Sequence, residues 1–149
     1  MAKLQLQNAV RQGKQLGGGA YKSERKFLDI LIDGISLWEL CKQEGIDNIS
    51  CIWQPDIYKP AVERLLLQLE PDLPDDRYSI YVCAECGDIG CGAVSVRIEQ
   101  TDNQIVWRDF AYQNNYDDSM TYSPDSFSKV DPSVFDLAEY RQLLLPLIQ

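Results

Sequence analysis

The stretch CAECGDIGCG, Cys83 to Gly92, places Cys83, Cys86 and Cys91 within ten residues of a chain that has two other cysteines, Cys41 and Cys51, and no histidine. Thiols at this spacing could do three things. They could hold zinc, because a tight turn after a C-x-x-C pair needs a residue tolerant of positive φ, here Gly87, and the turn amides then face the sulfurs. Three thiolates are one short of a closed tetrahedral site, so the fourth ligand would be Cys51, Cys41, Asp88, Glu85 or water. They could do redox chemistry, but an activated thiolate needs a helix N-terminus or a nearby cation. Glu85 and Asp88 are expected to raise the Cys86 pKa instead, since negative charge disfavours the anionic sulfur. Finally, Cys83 could pack as a small hydrophobe while the glycines make an irregular hairpin and Asp88 bonds its own backbone. The sequence favours this last arrangement, with zinc possible and no other cofactor indicated.

Other catalytic routes are poorly supplied. Without histidine there is no Ser-His-Asp or Cys-His arrangement and no HExxH metal helix. GGGAYKS, at Gly17 to Ser23, lacks the spacing of a phosphate-binding loop and follows no expected strand. Asp109, Asp117, Asp118 and Asp125 are plentiful carboxylates, but one sequence does not show two of them facing across a cleft. With Trp107, Phe110, Tyr112, Tyr116 and Tyr122 they could make an aromatic, acidic binding surface. The binding set is Trp107, Tyr112, Tyr116, Asp117, Asp118, Tyr122 and Asp125, suited to a basic protein. In the competing arrangement Trp107 and Phe110 are core residues and the tyrosines pin a loop.

Charge distribution bears on partners. The chain has 149 residues and a net charge of −9. Residues 1–26 carry six basic side chains against Glu24 alone, whereas the remainder carries eight basic and twenty-two acidic residues. So acidic a body repels phosphate backbones, which excludes nucleic acid and favours a basic protein partner. No apolar run suits a membrane span or a signal peptide, and an odd cysteine count suggests reduced thiols, so a cytoplasmic location is expected.

The elements that position these residues follow from periodicity. Residues 1–26, ending near Gly17-Gly18-Gly19, are expected as a flexible basic arm, and 27–149 as a single α+β domain. Phe27 to Leu37 forms a hairpin about Asp33-Gly34, and WELCKQEG a short helix closed by Gly45. A helix runs from Pro60 to Pro71 with Leu65, Leu66 and Leu69 buried. YSIYVCA, AVSVRIE and IVWRDFAY alternate as three antiparallel strands, which puts the thiols on the first connection of this meander. Residues 113–132 are too polar to bury and are expected as a long surface loop, before a last helix capped by Asp136. The expected fold class is α+β: a mostly antiparallel sheet, built from the early hairpin and the meander, with two longer helices packed on one face.

The strings YVCAECGDIGCGAVSVRIE, VWRDF and FDLAEYRQLL resemble a group of small bacterial proteins sharing a C-x-x-C-G-D-x-G-C-G element followed by W-R-[DE]-F. The likeness covers about Phe27 to Leu145 and implies no activity, cofactor or partner. If cysteines and WRDF belong together in that group, Arg108 and Asp109 are expected to brace the cysteine loop through hydrogen bonds to its backbone. The function the sequence favours is a non-enzymatic acidic protein-binding module of the immunity or antitoxin type, neutralising a basic bacterial toxin. The alternatives are a small zinc-binding domain with a cysteine-rich loop and a carboxylate-based enzyme.

Overall fold

A computed structural model describes residues 1–54, 58–113 and 121–149. The architecture is dominated by antiparallel sheet. Strand β1 (Leu4–Arg11) pairs along its whole length with β4 (Arg25–Ile32), which pairs in turn with the short β5 (Ile35–Ser36). Between β1 and β4 a small hairpin, β2 (Lys14–Gly17) and β3 (Ala20–Lys22), projects with mostly exposed side chains. A second sheet has the order β10-β9-β8-β7-β6, built from β6 (Asn48–Ser50), β7 (Tyr78–Cys83), β8 (Ala93–Thr101), β9 (Gln104–Gln113) and β10 (Ser133–Asp136).

Local chemistry explains several boundaries. Asp33 and Gly34 adopt φ of 52° and 80°, the left-handed pair that a two-residue turn between β4 and β5 requires. Ser36 caps helix α1 (Leu37–Gln43) by accepting from the Glu39 amide at 3.1 Å, and Gly45, at φ 71°, turns the chain away from it. Helix α2 (Tyr58–Leu65) stops because Leu67 sits at φ 61°. Helix α3 (Leu137–Leu144) is capped by Asp136, which accepts from the Glu139 amide at 3.0 Å, and it continues into a 3-10 turn, Leu145–Ile148.

This corrects the expected architecture in three places. Two longer helices on one face of a sheet are absent among the described residues: α1, α2 and α3 have seven, eight and eight residues, and Leu69, expected in a buried helical face, is 40% exposed beyond the end of α2. Residues 1–26, expected as a flexible arm, hold three strands, because Leu4 and Leu6 sit opposite the buried Ile32 and Ile30 of β4 and Arg11, itself buried, is ion-paired. The stretch expected as a polar surface loop contributes a 3-10 turn, Asp125–Lys129, that buries Phe127.

The core lies between the five-stranded sheet and the helices. Trp107 is fully buried with its ring edge-on to Phe135 at 5.5 Å and to Tyr140 at 6.3 Å, while Phe110 stacks at a tilt on Phe127 at 5.6 Å. Each such side chain stabilises the fold by about 2–3 kcal/mol through burial alone. The two sheets are joined through β4 and β6. The Leu28 amide donates to the Ile52 carbonyl at 2.9 Å, and the Ser50 hydroxyl donates to the Leu28 carbonyl. Beneath this seam Asp29, 5% exposed, accepts from the Tyr81 and Ser36 hydroxyls and from the Trp38 amide, so its buried charge is hydrogen-bonded from β7, β5 and α1 together. No helix among the described residues is long and apolar enough to cross a membrane.

Candidate metal centre

Strand β7 ends on Cys83, half-exposed, and the loop that follows carries Cys86 and Cys91 into solvent before β8 begins. The Gly87 amide donates to the Cys83 carbonyl at 2.9 Å, which closes a turn with Gly87 at φ 69°. The Asp88 amide then points at the Cys86 sulfur at 3.4 Å, and the Asp88 carboxylate accepts from the Gly90 amide at 2.8 Å to start a 3-10 turn, Ile89–Cys91. That turn brings Cys91 back over Cys86, with the two sulfurs 3.1 Å apart. All three sulfurs lie within 4.8 Å of one another. The thiols of a tetrahedral zinc site, with Zn–S about 2.3 Å, stand about 3.8 Å apart, so this spacing brackets what a metal would require. Cys83, Cys86 and Cys91 could therefore hold a metal ion.

Packing constrains two of the loop's three glycines, Gly87 and Gly92. A side chain at Gly87 would press into the Trp53 ring at 2.8 Å. One at Gly92, φ 107°, would overlap the Tyr112 hydroxyl. Arg25 holds the loop from the other side: its Nε donates to the Ala84 carbonyl and its Nη2 to the Glu85 carbonyl, both at 2.7 Å, while its guanidinium lies over the Trp53 ring at 5.2 Å. Glu85 is fixed by Arg11 at 2.7 Å and by the Ser23 amide at 2.9 Å. Those bonds, the Arg11 guanidinium first, hold the Glu85 carboxyl down to about 2. Arg11 also pairs with Asp47 at 2.5 Å, joining β1 to the turn before β6.

The electrostatics at sulfur differ from the sequence expectation. Cys86 lies below the ordinary thiol range because the Cys91 thiol and the Asp88 amide both donate to it, and these bonds outweigh the Asp88 charge. Glu85 faces Arg11, so its charge is neutralised there. Cys91, holding its proton toward Cys86, is pushed up to about 11. The contact between the two sulfurs thus lowers the Cys86 thiol and raises that of Cys91.

The other candidates fall in different places. Cys41 and Cys51 are buried in the core with thiols raised by desolvation, Cys51 to about 12, and among the described residues neither joins the sulfur cluster. Glu85 is committed to Arg11 and Ser23, and Asp88 to Gly90. Arg108 and Asp109 do not brace the loop: Arg108 pairs with Glu99 across the strand, and Asp109 faces Arg97 at 3.2 Å. Of the proposed binding surface, Trp107 is a core residue whose indole donates to the Tyr140 hydroxyl at 3.2 Å, so it cannot anchor a partner. Tyr112 is half-buried with its ring 5.7 Å from that of Tyr122; Tyr122 and Asp125 are exposed. Tyr116, Asp117 and Asp118 lie outside the described residues. The residues missed by sequence reasoning are Arg11, Ser23 and Arg25, and the signal for the two arginines was the excess of basic residues in the first 26 positions.

No protein-family model, no curated protein and no solved structure matches this chain.

Proposed function

We propose that the protein is a small zinc-binding protein in which Cys83, Cys86 and Cys91 supply three thiolates and leave the fourth coordination position open at the surface. The observation that carries this is the convergence of three sulfurs within 4.8 Å on a loop held from outside by two arginines. Thiolates select zinc among the abundant hard and borderline divalent ions. A site with three protein ligands keeps room for water or an incoming donor, unlike a closed structural knuckle. No imidazole stands by to move a proton, so the open position suits a docking donor better than hydrolysis. A reducing compartment such as the cytoplasm keeps the thiols available as ligands.

The test is metal analysis of protein purified without chelator, followed by replacement with cobalt. One equivalent of zinc and intense thiolate-to-cobalt charge transfer, lost in Cys86→Ser and Cys91→Ser, are expected. Metal-free protein that gives no charge-transfer band on cobalt addition under reducing conditions would remove the proposal. Capture of a basic toxin has weaker support, since Trp107 is buried and only Tyr122 and Asp125 of the surface set are exposed among the described residues.

A further inference from the structure

Away from the cysteine loop, a polar hollow of about 350 Å³ opens between Asp75 and Arg77 ahead of β7, Arg97 on β8, Asp109, Ala111 and Gln113 on β9, and Thr121 and Ser123. Its floor is Arg77, 6% exposed, just before β7. The Arg77 Nε donates to the Ser95 hydroxyl at 2.9 Å and its Nη2 to the Asp109 carbonyl. Among the described residues Nη1 has no hydrogen-bond partner and no carboxylate lies within ion-pair distance of the guanidinium. A buried guanidinium loses hydration that polar or negative groups must replace, and the carboxylates of Asp109, Asp75 and Asp131 act on Arg77 only from beyond ion-pair distance.

The backbone around Arg77 is built to hold this arrangement. Strand β9 carries one extra residue between Arg108 and Ala111, opposite Val96, and within that bulge Asp109 takes φ 59°. A non-glycine residue in that region is strained, and bulges of this kind re-aim side chains. Both oxygens of Asp131 pin it, accepting from the Asp109 and Phe110 amides at 3.0 Å. Ser95 passes the constraint on by donating to the buried Gln113 at 2.6 Å. The result is an outward Asp109 carboxylate on the rim, facing Arg97 at 3.2 Å, with Asp75 on the same arginine at 3.5 Å.

Charge is therefore layered: at the bottom a guanidinium with no carboxylate within ion-pair distance among the described residues, and at the mouth the carboxylates of Asp75 and Asp109 on Arg97, with Asp109 also 3.7 Å from Arg108. A dianion such as phosphate would meet both rim acids. A small molecule with a carboxylate at one end and an ammonium group at the other matches both layers. The volume equals about a dozen waters at about 30 Å³ each, enough for an amino acid with a short side chain. We propose that this hollow binds a small zwitterion of the amino-acid type, carboxylate inward on Arg77 and ammonium outward at Asp75 and Asp109. Gln113 and Ser123, which also line the hollow, offer uncharged polar groups to the ligand side chain. This site is independent of whether the cysteine loop holds zinc.

Amide chemical-shift titration of the full chain with L-alanine, L-serine and L-glutamine tests it, with acetate and methylammonium as the separate halves. Saturable shifts at Arg77, Ser95 and Gln113 are expected for at least one amino acid, with acetate weaker by about tenfold. Asp75→Asn changes an exposed side chain without touching the core, and it should weaken the amino acid about fivefold while leaving acetate unaffected. Arg77→Lys, where its spectrum shows a folded chain, should abolish saturation. The proposal is overturned by any of three results: no saturable response to the three amino acids up to about 20 mM, at which even millimolar affinity would register; acetate as effective as the zwitterion; or an unchanged affinity in Asp75→Asn.

Discussion

At the scale of single residues, Glu85 shows how a side chain outside the sulfur cluster governs it. Its carboxylate accepts from Arg11 and from both the amide and the hydroxyl of Ser23, so the charged form is favoured in the folded chain and the carboxyl is held down to about 2. An unfolded glutamate titrates near about 4.3. A depressed carboxylate contributes stability that is full above the unfolded pKa and is lost as the pH falls toward the folded one. Glu85→Gln should therefore lower Tm at neutral pH, and the gap to the parent protein should narrow steadily from about pH 4.3 downward and close near about 2. Thermal scans across that range check it; a gap that stays constant with pH would show that the ion pair contributes nothing through titration. The cysteines themselves were legible from spacing and from Gly87, but their supports were not. Arg11 and Arg25 lie far from Glu85 in the chain, and only strand pairing brings β1 and β4 under the loop.

Elements tell a similar story about what periodicity can reveal. Two-residue alternation marked β7, β8 and β9, and Asp33-Gly34 marked the turn from β4 to β5, because those signals are local. Strand β1 was hidden by its polar outer face and by the glycines that follow, and α2 proved shorter than its leucines suggested because Leu67 leaves helical conformation. Both outcomes depend on contacts distant in sequence. So does the seam between the sheets, where the Tyr81 hydroxyl both accepts from the Ile30 amide and donates to the buried Asp29. Tyr81→Phe removes a donor from a carboxylate that sits at 5% exposure, and it leaves the Ile30 amide without its partner. A loss of about 2–3 kcal/mol in denaturant unfolding is expected, more than one neutral hydrogen bond supplies, because buried groups are stranded. A loss below about 0.5 kcal/mol would mean that the seam does not depend on this network.

For the whole molecule, the cysteine loop lies where three parts of the chain converge: β1 through Arg11, β4 through Arg25, and the β7 end that carries Cys83. A ligand that binds the folded state alone stabilises it by RT ln(1 + [L]/Kd), about 2.7 kcal/mol at a hundredfold excess over Kd. Zinc on the three thiolates should accordingly raise Tm, and because the loop is tied to the first sheet it should also slow amide exchange at Ser23 and Gly87, whose N–H groups sit in the loop's own bonds. The effect must depend on pH in one direction. Thiolates bind metal and thiols do not, so acidification competes protons against zinc. Cys91, whose thiol is pushed up to about 11 without metal, holds its proton against zinc the more strongly of the two paired thiols, whereas that of Cys86 is lowered. The zinc-induced rise in Tm should therefore shrink as the pH is lowered from about 8 to about 5, and it should be absent throughout in Cys91→Ser. Calorimetry with and without zinc at each pH measures this. A rise in Tm that is independent of pH, or that survives in Cys91→Ser, would place the metal elsewhere on the acidic surface and separate the cysteine loop from it.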